Sequence, residues 1–346
     1  MKTAIAVGSA YYNGEQWDEL VEFTQEADKL GVNQAWSAEA WGMDSIVPLA
    51  YLAAKTENIQ LGTGILQISS RVPSMIAMTA QSMATVSKDR FILGLGVSGP
   101  QVVEGLHGQS FAKPLGRLRE CIDIVKMGLR GDRVQYQGEH YLLPRAGGEG
   151  KPIRLSQPPR PNLPIYLATL GPKALELTGE LADGWLGTSF IPEHADVFLD
   201  PIRKGAEKVG RSLEDIDIQI GGSIEVGDNV EQMIAARKPG MAFTLGGMGS
   251  AKTNFYNAAF RRSGYADVAE EVQALWVAGK KSEAIARVPD ELILKTSLIG
   301  SKEMIIERLR AYKAAGVNTF RLGAEGDNLQ QKLQRLGTSL DLVRSV

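Results

Sequence analysis

The sequence predicts an α/β protein, a closed (β/α)8 TIM barrel carrying insertions. Three observations predict it. Strand-like and helix-like runs alternate along nearly the whole chain, in about eight units. Three of the strand-like runs, Ile59–Gly64, Phe91–Gly96 and Ile165–Gly171, end in glycine and lead into a helix. An αβ junction near the start, Lys29-Leu30-Gly31-Val32-Asn33-Gln34-Ala35-Trp36, is echoed near the end by Ala314-Ala315-Gly316-Val317-Asn318-Thr319-Phe320-Arg321. Alternation requires a parallel sheet, wound open or closed. The same junction at both ends suits the closed form, though Gly-Val-Asn is also simply a common helix-to-strand turn.

The elements follow in order. Thr3–Val7 is a strand. Glu15–Leu30 is a helix, with Trp17, Leu20, Thr24, Ala27 and Leu30 on one face and Gly31 as its stop. Gln34–Ser37 is a strand, and Ser45–Lys55 a helix with Pro48 in its first turn. Ile59–Ile65 is a strand and Ser74–Val86 a helix; Phe91–Gly96 a strand and Leu115–Leu129 a helix. Arg133–Leu143 alternates like a hairpin turning at Gln137-Gly138. Then come strand Ile165–Thr169 with helix Pro172–Ala182, strand Gly184–Thr188 with helix Ala195–Val209, and strand Ile216–Val226. Helix Met304–Ala314, strand Thr319–Leu322 and helix Leu329–Val343 close the chain. Residues 131–164, with a Pro-rich run at Gln157-Pro158-Pro159-Arg160-Pro161, and the mostly helical 228–289 break the rhythm. Neither reads as an independent domain. The expectation is one domain over residues 1–346, with two insertions able to cover an active-site mouth.

Composition narrows the function classes. Lys and Arg number 38 against 40 Asp and Glu, a balance that points to neither nucleic acid nor an anionic membrane as a partner. Cys121 is the only cysteine, so no intramolecular disulfide and no thiol cluster for zinc or iron–sulfur can form. It lies in the helix-like run Leu118–Met127, where a small buried hydrophobe is its expected role. Met1–Gly8 is a short strand-like run and not a signal peptide, and no apolar run reaches the ~18 residues of a membrane span. A cytoplasmic protein is expected. His107, His140 and His194 are scattered without metal-ligand spacing, so no metal site is expected. No G-x-S-x-G nucleophile motif occurs.

Glycine motifs carry the chemistry. Gly94-Leu95-Gly96-Val97-Ser98-Gly99 fits G-x-G-x-x-G after a strand. A dinucleotide fold needs a helix at once and an acid ending the next strand about 20 residues on. Here Pro100 follows, a loop is expected to Pro114, and Glu120 falls in a helical run. A strand end lying against a ring system fits better. Thr169-Leu170-Gly171-Pro172-Lys173 is a helix start with proline at its first position. Its unpaired amides and dipole suit a phosphate, though an ordinary Gly-Pro helix start has the same letters. Thr63 lies between Gly62 and Gly64, which permits unusual backbone angles or merely a tight turn. Glu39, in Ser37-Ala38-Glu39-Ala40-Trp41, stands at a strand's C-terminal end, where barrel catalytic groups sit; a solvated loop carboxylate is the plain alternative. Trp41 could stack on a ring, cover a pocket or pack in the core.

Together, Leu61–Pro73, Asp89–Gly108, Pro164–Trp185 and Ile299–Leu322 resemble the bacterial luciferase-like monooxygenase superfamily, in its coenzyme F420-dependent branch. The branch includes methylenetetrahydromethanopterin reductase and F420-dependent alcohol and glucose-6-phosphate dehydrogenases. The resemblance implies a (β/α)8 barrel with the deazaflavin at the strands' C-terminal ends, and a homodimer or higher homo-oligomer. It implies a non-prolyl cis peptide at Gly64–Ile65 behind the ring, with Thr63, Gly64 and Ile65 backing it. It implies Gly96, Val97 and Ser98 along the ring edge, and Thr169, Leu170, Gly171, Pro172 and Lys173 on the phosphate. Glu39 would hydrogen-bond the ring or help move a proton, and Trp41 would shape the pocket. Many relatives carry histidine after that acid; here it is Ala40. The activity implied is hydride transfer between F420 and a small carbonyl, imine or activated alkene. An FMN-dependent two-component monooxygenase and a non-catalytic F420-binding protein are the alternatives.

Overall fold

The computed structural model describes residues 1–8, 13–249, 253–323 and 325–346. Eight strands recur along it: β1 (Lys2–Ala6), β2 (Gln34–Ser37), β3 (Gln60–Thr63), β4 (Phe91–Gly96), β5 (Ile165–Leu167), β6 (Gly184–Leu186), β7 (Asp217–Val226) and β8 (Thr319–Gly323). The helices between and after them are α1 (Gly14–Lys29), α2 (Ile46–Ala53), α3 (Pro73–Val86), α4 (Pro114–Arg130), α5 (Pro172–Leu181), α6 (Asp196–Glu207), α7 (Lys302–Ala314) and α8 (Leu329–Arg344). The hydrogen-bonded order is β5-β6-β7-β8-β1-β2-β3-β4, and β4 pairs with β5, so the order closes on itself. The fold is the (β/α)8 barrel that the alternation predicted. Two short strands join the same sheet, Leu66–Gln67 on β4 and Leu298–Gly300 on β7.

The repeated junction is one helix stop used twice. At the end of α1, Gly31 donates to Asp28 O and Val32 to Ala27 O; at the end of α7, Gly316 donates to Lys313 O and Val317 to Tyr312 O. Both glycines sit in the left-handed region, at φ 81° and 97°, which side chains disfavour. The start of α1 is fixed by a reciprocal cap: Gln16 N donates to Asn13 Oδ1, and Asn13 N to Gln16 Oε1.

The chain divides into two compact units, one of residues 6–168 and 181–184, the other of 1–5, 169–180 and 185–346. In the first, Trp36 is buried, and a Cβ on Gly62 would lie 2.4 Å from its ring. Tyr166 stacks beside Trp36 with centroids 5.4 Å apart. Cys121 is fully buried and its thiol pushed up to about 12 by burial, as a core hydrophobe requires. In the second unit, α5 and α6 meet backbone to backbone. A Cβ on Gly179 would fall 1.9 Å from Ile202 O, and one on Gly205 1.9 Å from Glu176 O. Helices of the 228–289 stretch bury Leu245, Phe260 and Val272 in an apolar cluster that they share with Ile191, Leu292 and Ile299.

Three local readings change. The hairpin is shorter than its alternation suggested: Tyr136–Gln137 pairs with Leu142–Leu143, while Arg133–Val134 pairs instead with Ile153–Arg154. Gly138 N donates to Tyr141 O and closes the turn. A short helix, Pro100–Val103, opens directly after Gly99 where a loop was expected. The strand Leu298–Gly300 was not anticipated, because three residues show no periodicity. No helix among the described residues is long and apolar enough to cross a membrane.

Candidate functional site

In the first unit, the loops after β2, β3 and β4 converge through backbone hydrogen bonds. Gly64 N donates to Ser37 O at 2.7 Å, and Glu39 N to Ile65 O at 3.2 Å. The Gly64–Ile65 peptide is cis, as the resemblance implied. Ile65 lies over Gly96, where a Cβ would come within 2.7 Å of its Cδ1, so any larger residue there would displace the Ile65 side chain. Thr63 is fully buried, and its hydroxyl donates to Gly94 O and accepts from Gly94 N, each at 2.8 Å. That side chain joins β3 to β4 and leaves only backbone toward a ligand. Val97 and Ser98 are half-buried, and Ser98 adopts a left-handed φ of 59°. Trp41 is 78% exposed, which excludes the core-packing alternative and leaves it able to cover a ligand.

Glu39 is the most heavily engaged group in this region. Arg71 Nη1 donates to its Oε1 at 2.8 Å and its Oε2 at 2.9 Å. Ser70 Oγ and Gln67 N donate to Oε1, while Ser45 N and Ser45 Oγ donate to Oε2. Burial pushes this carboxyl up, but the Arg71 hydrogen bond and charge, with the Ser45 and Gln67 amides, outweigh it and hold the group below the usual carboxylate value. Glu39 is therefore ionised at neutral pH, accepts hydrogen bonds and donates none. Gln67 Nε2 also donates to the carbonyls of Glu39 and Ala40, at 3.0 and 3.2 Å. Its Oε1, like Ser69 Oγ, is buried with no partner among the described residues. Sequence reasoning missed Ser45, Gln67, Ser70 and Arg71. The available signal was Gln67–Arg71 lying inside a stretch already singled out.

In the second unit, the anion candidate opens α5. Leu175 N makes the helix's first bond, to Gly171 O at 2.9 Å, so the amides of Lys173 and Ala174 have no intrahelical acceptor. A Cβ on Gly171 would meet nothing within 4 Å, which leaves room beside those amides. Thr169 is buried, its hydroxyl paired with Thr178 Oγ1 at 2.7 Å and its carbonyl accepting from Trp185 Nε1 at 2.9 Å. Arg262, from the 228–289 stretch, donates from Nη2 to Leu170 O at 2.6 Å. Its Nε is buried without a partner among the described residues. A helix start, open space at glycine and a guanidinium with an unused donor fit a phosphate. Lys173 is exposed.

Residues 1–319 match the family model described as luciferase-like monooxygenase. A protein of Mycobacterium tuberculosis, named provisionally as a coenzyme F420-dependent oxidoreductase, is 38% identical over 92% of this chain and 93% of its own. The 5,10-methylenetetrahydromethanopterin reductase of Archaeoglobus fulgidus is 27% identical over 93% of this chain and 94% of its own. The solved coenzyme F420-dependent tetrahydromethanopterin reductase of Methanopyrus kandleri superposes with a TM-score of 0.78, at 21% identity, over 97% of each chain. That last likeness concerns the fold.

Proposed function

The chain belongs to the luciferase-like monooxygenase family, and we propose that it is an F420-dependent oxidoreductase acting on a small carbonyl, imine or activated alkene. The observation that carries this reading is the match, along more than nine-tenths of both chains, to a relative named as a coenzyme F420-dependent oxidoreductase. What supports it in this chain is the pair of surfaces described above. The backbone of Thr63, Gly64 and Ile65 would back the deazaflavin, with Gly96, Val97 and Ser98 along its edge and Trp41 over it. Thr169 to Lys173 and Arg262 would hold the phosphate. F420, when bound, supplies a two-electron hydride donor or acceptor. The protein's part is to hold ring and substrate in register and exclude water. Glu39 acts here as a positioning residue. Its carboxylate gathers Ser45, Gln67, Ser70 and Arg71, and its amide fixes Ile65 O. The resemblance adds a homodimer or larger homo-oligomer, which analytical ultracentrifugation of the purified protein checks.

Titration with F420 and with FMN tests the reading, followed by turnover of aldehydes, enones and imines with reduced F420. Micromolar F420 affinity with no FMN affinity supports it. FMN binding with oxygen uptake would replace it with a two-component monooxygenase. Tight F420 binding without turnover of any substrate would replace it with a carrier.

A further inference from the structure

We propose that the inner face of β7 and β8 is a binding site for a carboxylate carried by the substrate, with Arg321 as its cation and Gln219 as a second donor. The inference rests on the oxidoreductase reading only in calling the ligand a substrate. Strand alternation sets the faces. Phe320 and Leu322 are buried on the helix side, where Tyr312 of α7 meets Phe320 at 5.4 Å between centroids. Arg321 therefore points to the opposite, inner side. In the β7–β8 register Gly221 lies beside Arg321 and Gln219 beside Thr319, so Gln219 and Arg321 are diagonal neighbours on that face. The guanidinium lies across Gly221: a Cβ there would be 2.9 Å from Nε and 3.1 Å from Nη2.

The cation has no counterpart among the described residues. Among the described residues, no hydrogen bond or ion pair reaches the Arg321 side chain, and burial lowers its pKa with no carboxylate opposing the shift. The acids on or beside these two strands are engaged elsewhere. Asp217 accepts from Thr319 Oγ1 at 2.8 Å and faces Lys2 Nζ at 3.6 Å. Glu225 pairs with Arg237 at 2.7 Å, and Glu325 accepts from Ser223 Oγ at 3.0 Å. Gln219 is 1% exposed, and neither its Nε2 nor its Oε1 has a partner among the described residues. A partly buried guanidinium and a fully buried amide, both unpaired, are costly alone. A planar anion satisfies both. A guanidinium fork matches a carboxylate edge to edge.

The test uses the full chain without cofactor. Monocarboxylates from acetate to benzoate are titrated against their neutral amides and against inorganic phosphate, with thermal stability and calorimetry as readouts. The native protein should show saturable stabilisation by at least one carboxylate and none by its amide. Arg321→Met should abolish that response, stay folded and bind F420 as tightly as the native protein does. Gly221→Ala, which keeps the charge but displaces the guanidinium, should weaken the carboxylate at least tenfold. Four results overturn the proposal: no carboxylate response, a response surviving Arg321→Met, stabilisation by phosphate alone, or a loss of F420 affinity in Arg321→Met. The last would make the anion the cofactor's own and leave the F420 reading standing. Absence of F420 binding in the native protein would end that reading without touching the carboxylate result.

Discussion

Replacing Arg71 with methionine is the sharpest single perturbation of the loops that gather at Ile65. The Glu39 side chain is 9% exposed and that of Arg71 22% exposed, so the pair is largely withdrawn from water. Removing one member of a buried pair costs about 3–5 kcal/mol, because the survivor stays charged and unmatched. Here Ser45, Gln67 and Ser70 still donate to the carboxylate, at 3.1 to 3.4 Å. That places the loss at the low end, about 3 kcal/mol. For a chain of this length the unfolding entropy is about 0.7 kcal/mol per degree, so the melting temperature should fall by about 4 °C. Urea unfolding, with recovery of the native signal on dilution, measures the loss directly.

The pH dependence separates this account from a mere packing defect. The folded carboxyl of Glu39 lies below its unfolded value. The stability it contributes is complete above the unfolded value, about pH 4.3, and disappears as pH falls through the lower, folded value. The native protein should therefore lose its advantage over Arg71→Met as the solution is acidified past that range. A double-mutant cycle with Glu39→Gln should give a coupling of about 2 kcal/mol at neutral pH. A loss under about 1 kcal/mol for Arg71→Met, or a difference that persists unchanged in acid, would refute the reasoning.

Three further outcomes follow from single contacts. Thr63→Val strands the N–H of Gly94, which donates to Thr63 Oγ1 at 2.8 Å, and removes one donor from the Gly94 carbonyl; it should cost about 1–3 kcal/mol in urea, with Thr63→Ser restoring most of it. Gly205→Ala drives a methyl to 1.9 Å from Glu176 O at the crossing of α5 and α6 and should cost at least about 1–3 kcal/mol, read as a lower urea midpoint. Arg262→Met removes the unused donor beside Leu170 and should weaken F420 about tenfold, with an unchanged circular dichroism spectrum; equal affinity would remove Arg262 from the phosphate site.

Much of the barrel was legible because its determinants are local. The glycine stops at Gly31 and Gly316, the proline at Pro172 and the apolar strand Phe91–Gly96 each fix an element within a few residues. Thr169–Lys173 was legible as a helix start for the same reason. The partners were not. Arg71 reaches Glu39 across 32 positions, and Arg262 reaches Leu170 across 92. No periodicity in a single sequence encodes such pairings. The hairpin failed in the same way: Arg133–Val134 alternates as a strand should, but its partner is Ile153–Arg154, beyond the turn that the alternation suggested.

The arginines divide by whether the chain itself supplies their anion. Arg71 has Glu39, Arg237 has Glu225 and Arg308 has Glu193, so each is part of the architecture. Among the described residues Arg262 and Arg321 have no carboxylate against them, and burial alone moves both pKa values, downward. Burial of a guanidinium without a counter-charge gains nothing for stability. Arg262 still ties down Leu170 O through its Nη2, so it is part of the architecture as well as the holder of an unused donor. Arg321 makes no such bond among the described residues, so an architectural role does not account for it, whereas a binding role does, since the missing anion arrives with the ligand. Arg321 should then behave oppositely to Arg71 under neutralisation. Methionine at 71 destabilises the free protein, while methionine at 321 leaves it as stable or more so and shows its cost only when an anion is added. If both substitutions lower the unfolding midpoint alike, the distinction between architectural and ligand-directed arginines fails, and with it the carboxylate site on β7 and β8.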